Sequence, residues 1–166
     1  MATTDLAATL AELTARADSA LTIVTTAPEG EPSGCLVGFH SQCSIEPWRY
    51  AVWLSKANHT YRPALLADHL AVHLVASADH DLAAHFGSET GDEVDKFASV
   101  AWAPGTGGAP LLERLPNRFV GRRLEVLDTG GDHVCVILEP VTVALADPFT
   151  PLRLSGVDDV APGHPA

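Results

Sequence analysis

Residues 21–54 read LTIVTTAPEGEPSGCLVGFHSQCSIEPWRYAVWL, and their pattern decides the fold. A β-branched run at 21–26 ends at a proline and glycine turn, and a second apolar run follows at 34–39. A third run occupies 50–54. Short apolar runs with proline and glycine between them predict strands, and the first two runs predict a hairpin. The stretch therefore indicates an antiparallel β structure.

The rest of the chain repeats this arrangement of short strands. Apolar or alternating runs predict further strands at residues 70–75, 117–127, 133–138 and 141–145. Pro140 separates the last two runs and indicates a bend or bulge, because proline cannot donate a ladder hydrogen bond. Only a few short helical patches lie between the strands. Many short strands with few helices favour an antiparallel barrel or sandwich over a parallel doubly wound sheet.

An amphipathic pattern precedes the first strand. Leucine or alanine recurs at spacings of four, three and four, at Leu6, Leu10, Leu13 and Ala17. This spacing predicts a helix over 4–18 with one apolar stripe, and a helix this short must pack on another surface. A chain of 166 residues suits one domain. We therefore expect an N-terminal helix packed on the domain at 1–20, the β domain at 21–148 and a C-terminal tail at 149–166.

Composition disfavours several classes of function. The chain has 10 basic and 21 acidic residues, a formal net charge of −11, which disfavours binding to nucleic acid or to an anionic membrane. No apolar stretch approaches the length of a spanning helix, and the first residues lack the basic region of a signal peptide. Three cysteines without a CxxC spacing argue against a disulfide framework and predict a cytoplasmic protein.

Common phosphate-loop and metal motifs are missing from the sequence. It has neither a GxGxxG nor a GxxxxGK[ST] pattern, so dinucleotide and Walker sites of the usual kind are not predicted. His69 and His73 stand four residues apart on a predicted strand, but no third ligand lies near them in the sequence. No metal site is therefore predicted.

Polar side chains gather just before a predicted short helix at 60–68. They are Ser55, Lys56, Asn58, His59 and Thr60. Hydroxyls and a lysine at a helix N-terminus favour an anion such as a phosphate. The alternative is a polar turn with an ordinary helix cap. In the preceding region, Gly38 lets a ligand approach the backbone closely.

Several short motifs, taken in order, resemble the flavin reductase-like, FMN-binding split-barrel family. They are the run at 21–26, Pro32-Ser33-Gly34, the segments at 42–47 and 55–60, Phe86-Gly87, Lys96-Phe97 and Gly131-Asp132-His133. The resemblance covers residues 21–143. It implies a mainly β split β-barrel, antiparallel and Greek-key-like, with about six strands. It also implies a homodimer with a flavin at the interface between the copies.

The resemblance further implies which residues contact the cofactor. The strand and turn that would touch the isoalloxazine ring, largely through backbone groups, comprise Val37, Gly38, Phe39, His40, Ser41, Gln42, Cys43 and Ser44. The residues that would hold the ribityl chain and phosphate are Ser55, Lys56, Asn58, His59 and Thr60. His133 is expected beside the nicotinamide as the catalytic residue. His40 is a candidate for stabilising the reduced ring.

The common reaction of the family is hydride transfer from NADH or NADPH to FMN or FAD. The resemblance thus implies a flavin reductase, whose reduced flavin can diffuse to a partner monooxygenase. The chain departs from the family pattern at Leu36 and Gly38, where threonine and asparagine are usual, and at Pro140, near a usual glycine. These departures leave a non-catalytic flavin-binding module as the alternative. The sequence does not show whether FMN or FAD is the flavin, or whether NADH or NADPH is the reductant.

Overall fold

The structure, a computed structural model, describes residues 3–163. This part of the chain contains the α-helices α1 (Thr3–Ala17), α2 (Tyr61–Leu66) and α3 (His80–Ser88). Its strands are β1 (Thr22–Thr26), β2 (Ser33–Val37), β3 (His40–Ile45), β4 (Trp48–Ser55), β5 (His69–Leu74), β6 (Trp102–Pro104), β7 (Pro110–Leu112), β8 (Arg118–Leu127) and β9 (His133–Ala144).

The main sheet is antiparallel and curls into a half-barrel. Its strand order is β2-β1-β5-β8-β9-β4-β3, and β6 pairs with β7 in a separate ribbon. The consecutive strands β1 and β2, β3 and β4, and β8 and β9 pair with each other, whereas β5 returns to lie between β1 and β8. The predicted mainly β, antiparallel architecture with a few short helices is confirmed.

The strand β3 is the one in the main sheet that the sequence did not predict. Its sequence, HSQCSI, is polar, and most of its side chains are exposed at the edge of the sheet. Hydrogen bonds to β4 hold it, with a bulge between Gln42 and Ser44. An edge strand held by backbone pairing needs no buried face, so no apolar alternation marks it. The main sheet therefore has seven strands, where about six were expected.

The long hairpin of β8 and β9 contains the irregularity that the proline predicts. Pro140 lies opposite Gly121, and the register shifts between Val120 and Gly121. A Cβ added at Gly121 would lie 2.8 Å from Leu138 Cβ, so the absence of a side chain lets the two strands approach there. The strand β9 consequently continues past the irregularity as one strand of 12 residues.

The strand β1 contributes to two apolar clusters, one on each side of the sheet. All five of its residues are buried. Ile23 belongs to a cluster with Phe86 of α3 and Leu112 of β7, whereas its neighbour Val24 packs with Val52 of β4 in the other cluster. Successive residues of a strand point to opposite faces, so β1 is covered on both.

The N-terminal helix forms as predicted, but its apolar stripe faces solvent. Leu6, Leu10 and Leu13 remain 61 %, 55 % and 63 % exposed in the single chain. Just after the helix, the Asp18 carboxylate accepts hydrogen bonds from Ser155 and ties this region to the C-terminal segment. The domain that was expected to cover the stripe of α1 therefore does not cover it.

The segment expected to be a C-terminal tail is partly built into the domain. The N–H of Leu21 donates to the carbonyl of Leu152, whose own N–H donates to the carbonyl of Val75, at 2.8 Å each. Leu152 and Val157 are buried. These backbone bonds draw an apolar segment onto the core, so the folded domain extends beyond residue 148.

His73 is fully buried in β5 and bridges two other strands. Its Nδ1–H donates to the carbonyl of Ile23 in β1, and its Nε2 accepts from the N–H of Leu112 in β7, both at 3.1 Å. A ring nitrogen that accepts a hydrogen bond requires the neutral imidazole. Burial lowers the pKa of His73 from 6.5 to about 4.

We expect the free energy of unfolding to fall as the pH drops from 6.5 to 4. In this range the unfolded chain protonates His73 and the folded chain does not, so the loss reaches about 3 kcal/mol. Above pH 6.5 this contribution is constant. Urea unfolding at several pH values measures the effect, and His73→Gln, which keeps a donor and an acceptor, should remove it. If the free energies of unfolding of the wild type and His73→Gln change with pH in parallel, this role of His73 is contradicted.

Candidate functional site

The ends of three strands meet around a cavity of about 250 Å³, which we term the strand-end cavity. The strand β2 ends just before the connection to β3, and the last residue of β4 pairs with the first residue of β9. These ends bring together the predicted site residues Val37, Gly38, Phe39, Ser55, Asn58 and His133, all of which line the cavity.

The walls of the strand-end cavity are largely apolar. Trp53, Leu54 and Leu154 line it beside the predicted residues. Because Gly38 has no side chain, only its backbone can line the cavity. Apolar walls with a few backbone donors and acceptors suit a flat aromatic ring that has polar edges.

His133 is oriented by its neighbour in the sequence. Its Nδ1–H donates to the Asp132 carboxylate at 2.8 Å, and this bond lowers the pKa of Asp132. The Phe39 ring lies 5.2 Å from the imidazole, centroid to centroid. Since Nδ1 is committed to Asp132, any hydrogen bond between His133 and a ligand must use Nε2.

Lys56 joins the turn after β4 to the turn before β9. Its Nζ lies 2.9 Å from the Asp128 carboxylate, and its backbone N–H donates to the carbonyl of Asp132 at 2.9 Å. Asp128 also accepts from the N–H of Gly130, and the bonds from Lys56 and Gly130 lower the pKa of Asp128. The predicted phosphate-binding lysine is therefore already paired with a carboxylate.

The other polar residues of the turn after β4 bond mostly within the fold. The hydroxyls of Thr60 and Ser33, both buried, lie 2.9 Å apart, and the Thr60 N–H donates to Asn58 Oδ1. His59 Nδ1 lies 2.7 Å from the Asp92 carboxylate. The helix α2 begins here as predicted, but its six residues give it a weak dipole. Much of this segment is thus the polar turn that the sequence left as the alternative.

A second cavity of about 410 Å³ adjoins the first, and Asn58 lines both. Two basic side chains, Lys56 and Arg62, line this second cavity together with the carboxylate of Asp92. An apolar slot beside a cavity with basic side chains fits a molecule with a flat ring at one end and a phosphate at the other. FMN has this form, so the residues present fit a flavin. The sequence analysis did not include Arg62, because it lies beyond the polar turn.

The structure does not bring His40 to the strand-end cavity. Its Nε2–H donates to the carbonyl of Ala20 at 2.6 Å, and its Nδ1 accepts from the Tyr50 hydroxyl at 2.7 Å. Burial lowers the pKa of His40, which favours this neutral form. Both ring nitrogens are thereby used within the fold, and this is incompatible with a role for His40 in stabilising a reduced ring.

The remaining predicted contacts lie on β3, outside the lining of the cavity. Their side-chain bonds are local, because the Ser41 hydroxyl donates to the Gln42 carbonyl and the Gln42 amide donates to the Ser44 carbonyl. Ser41, Gln42 and Cys43 are exposed at the sheet edge. The contact of these residues and Ser44 with a flavin stays a prediction.

Leu154 is a cavity residue that the sequence analysis did not find. It lies in the segment expected to be a tail, and its N–H donates to the carbonyl of Ser19. This contact joins opposite ends of the described chain, so no local pattern marks it. The sequence analysis did not assign Trp53 to the cavity either, because an aromatic residue between two buried ones in a strand is typical of ordinary packing.

The chain matches the family model described as "Flavin reductase like domain" over residues 14–155. It therefore belongs to the flavin reductase-like family, as the resemblance of its motifs implied. The curled antiparallel sheet agrees with this membership.

Individual proteins show the same similarity. The chain is 32 % identical over 138 residues to the FMN reductase (NADH) SmoA of Agrobacterium fabrum, covering 82 % of this chain and 75 % of that one. It is 27 % identical over 120 residues to the reductase subunit of stachydrine N-demethylase from Rhizobium meliloti, covering 72 % and 50 %. A flavin reductase domain protein from Arthrobacter shares the fold, with a TM-score of 0.79, 20 % identity and coverage of 88 % and 89 %.

The chain thus spans half the length of the stachydrine N-demethylase subunit. Among residues 3–163, no helix combines the length and the apolar character needed to cross a membrane. Within those same residues, no three His, Cys, Asp or Glu side chains are grouped so that they could hold a metal ion.

Proposed function

We propose that the protein is a flavin reductase that transfers hydride from NADH or NADPH to FMN or FAD. The observation that carries the proposal is the strand-end cavity, with His133 in its wall and a cavity with basic side chains beside it. The relative SmoA supports the proposal, since it is named as an FMN reductase with NADH given in brackets.

The proposal gives each part of the site a task. The residues proposed to hold the flavin are Val37, Gly38 and Phe39 at the ring, Ser55 and Asn58 at the ribityl chain, and Lys56 and Arg62 at the phosphate. When bound, the flavin would supply the hydride acceptor, which no side chain provides. The apolar walls would keep water from the reacting face. His59 and Thr60 would act indirectly, by shaping the turn.

His133 would position the second substrate. Its Nε2 would bond the carboxamide of the nicotinamide, while Asp132 holds the imidazole at Nδ1. Holding two reactants in one geometry lowers the barrier because their freedom of motion is lost before the reaction begins. In this proposal His133 moves no proton, and its contribution is orientation.

A non-catalytic flavin-binding module is the second candidate. The observation that favours it is the presence of Leu36 and Gly38 at the cavity, where neither side chain can bond the ring. Contact with the polar edge of the ring would then depend on the backbone alone. Such a module would bind a flavin without admitting a nicotinamide.

A reductase of this kind would pass reduced flavin to a partner monooxygenase by diffusion. Relatives whose names describe this task support the proposal, among them the reductase subunit of a flavin-dependent monooxygenase from Mycobacterium tuberculosis.

We place the protein in the cytoplasm, where its free cysteines Cys35, Cys43 and Cys135 would stay reduced.

We further propose a homodimer. The leucine stripe of α1 is exposed, and at the far end of β9 Val143 and Leu145 are 74 % and 89 % exposed. Exposed apolar surfaces of this kind mark interaction sites. A second copy would cover them and could bring the polar edge of β3 against a flavin.

Light scattering during size-exclusion chromatography should give twice the chain mass of 17.5 kDa. Replacing the three exposed leucines of α1 by serine should shift the protein towards the monomer if the stripe lies in the interface. Leu124→Ser, which alters an exposed leucine of β8, is the control. A wild-type protein that elutes as a monomer at high concentration would contradict the homodimer.

Anaerobic mixing with FMN or FAD and NADH or NADPH should bleach the visible absorbance of the flavin. His133→Ala should bind flavin like the wild type and show a KM for the nicotinamide about tenfold higher, because an orienting bond is lost. Flavin binding without bleaching by the wild type would favour the non-catalytic module. The absence of both binding and bleaching would contradict both candidates.

Lys56→Ala should weaken FMN binding about tenfold and leave riboflavin binding unchanged, since riboflavin lacks the phosphate. Fluorescence titration of the two flavins measures the difference. Arg122→Ala is the matched control, because it removes a cation that pairs with Glu139 away from the site. An equal loss of affinity for FMN and riboflavin would contradict the assignment of Lys56 to the phosphate.

A further inference from the structure

Leu154 forms part of the strand-end cavity although it belongs to the C-terminal segment. It lines the cavity together with Phe39, Trp53 and His133, and its surface is 41 % exposed. A leucine that is half open at the wall of a cavity loses its remaining contact with water when a ligand covers it. Leu154 also begins a short 3-10 helix, Leu154–Val157.

Four hydrogen bonds hold Leu154 and its neighbours to the residues that follow α1. The Leu154 N–H donates to the Ser19 carbonyl, and the Arg153 guanidinium donates to the Asp18 carbonyl, both at 2.9 Å. The Asp18 carboxylate accepts from the N–H and from the hydroxyl of Ser155, at 2.8 Å each. We term this set of bonds the Asp18 clamp.

The Asp18 clamp depends on an unusual backbone conformation. Asp18 has a φ of 50°, in the left-handed region that aspartate and asparagine enter more readily than other residues with a side chain. Beyond the clamp, the buried side chains of Leu152 and Val157 anchor the segment in the core. Leu154 is therefore fixed from both sides along the chain.

We propose that Leu154 is a binding wall that packs against the fused ring of the ligand, and that Asp18 is a positioning residue that holds this wall in place. The inference rests on the proposed flavin site. It adds a residue from outside the short motifs of the sequence analysis, and it gives the connection after α1 a task in binding.

The size of the cavity makes each wall residue important. A cavity of about 250 Å³ lies at the small end of ligand sites, so small changes in its walls alter which ring fits. The Leu154 side chain can give the face of a ring an apolar contact and exclude water there. Shortening it would leave a gap beside the ring, and enlarging it would fill the space that the ring needs.

The first test measures binding of riboflavin and FMN, which share the ring and differ in the phosphate. Leu154→Ala should raise the Kd of both flavins by the same factor, about tenfold, and Leu154→Trp should abolish binding of both. Quenching of flavin fluorescence by the full chain gives the Kd values, and thermal unfolding is recorded for each variant. Leu124→Ala, at 39 % exposure and outside the cavity, should change neither Kd.

The second test asks whether Asp18 acts through Leu154. Asp18→Ala should raise both Kd values about fivefold, and Asp18→Asn, which tolerates the same φ and keeps an acceptor, should restore most of the affinity. Asp18→Ala combined with Leu154→Ala should bind no more weakly than Leu154→Ala alone, because the wall that Asp18 positions is already gone.

The outcomes separate this inference from the proposed function. If the wild type binds flavin and Leu154→Ala binds it equally well, the inference is overturned and the flavin site stands. If the wild type binds no flavin, the proposed function fails first. Additive losses in the double variant would overturn the positioning role of Asp18. If Leu154→Ala unfolds, Leu154→Trp alone decides, and an unchanged Kd for Leu154→Trp would overturn the role of Leu154.

Discussion

The pairing of β4 with β9 is the constraint on which the site depends. Its central side chains, all buried, are Val52, Leu54, Val134 and Val136. A slip of one residue would turn these side chains to the other face of the sheet, so the core holds the register. The same register sets Ser55 opposite His133. The two sequence segments that contain the candidate site residues are thus brought together by apolar packing, to which the Lys56–Asp128 ion pair adds a surface contact.

In the main sheet, strands with a buried face could be predicted from the sequence, and β3, which has none, could not. The runs that became β1, β2, β4 and β5 are apolar because at least one of their faces is buried. By contrast, β3 is held by backbone bonds at the sheet edge, which its polar side chains neither require nor reveal. The spacing of Leu6, Leu10 and Leu13 predicted α1 for local reasons. That spacing carries no information about which surface lies opposite, and within residues 3–163 no surface covers the stripe.

The candidate site divides in the same way. Ser55 and His133 could be predicted because each belongs to a short motif whose members are neighbours in the sequence, and Gly38 because it lies between two such motifs. Leu154 could not, because only a contact with the residues after α1 brings it to the cavity. His40 was assigned by its place in the segment between two motifs, and the structure shows that its partners are Ala20 and Tyr50. Position in or between motifs therefore pointed to the candidate site, while the partners of each side chain decide what that side chain can do.

The pair formed by Lys56 and Asp128 has a consequence for the residence time of an anion. The lysine already has a counter-ion in the protein, 2.9 Å away. A phosphate that arrives must displace or share that carboxylate, and the carboxylate takes its place again when the phosphate leaves. Because Lys56 and Asp128 are both partly exposed, the carboxylate mainly reduces the net attraction of this position for a phosphate. Under the proposed function, this pairing favours a flavin that exchanges with solvent over one that is kept as a permanent prosthetic group.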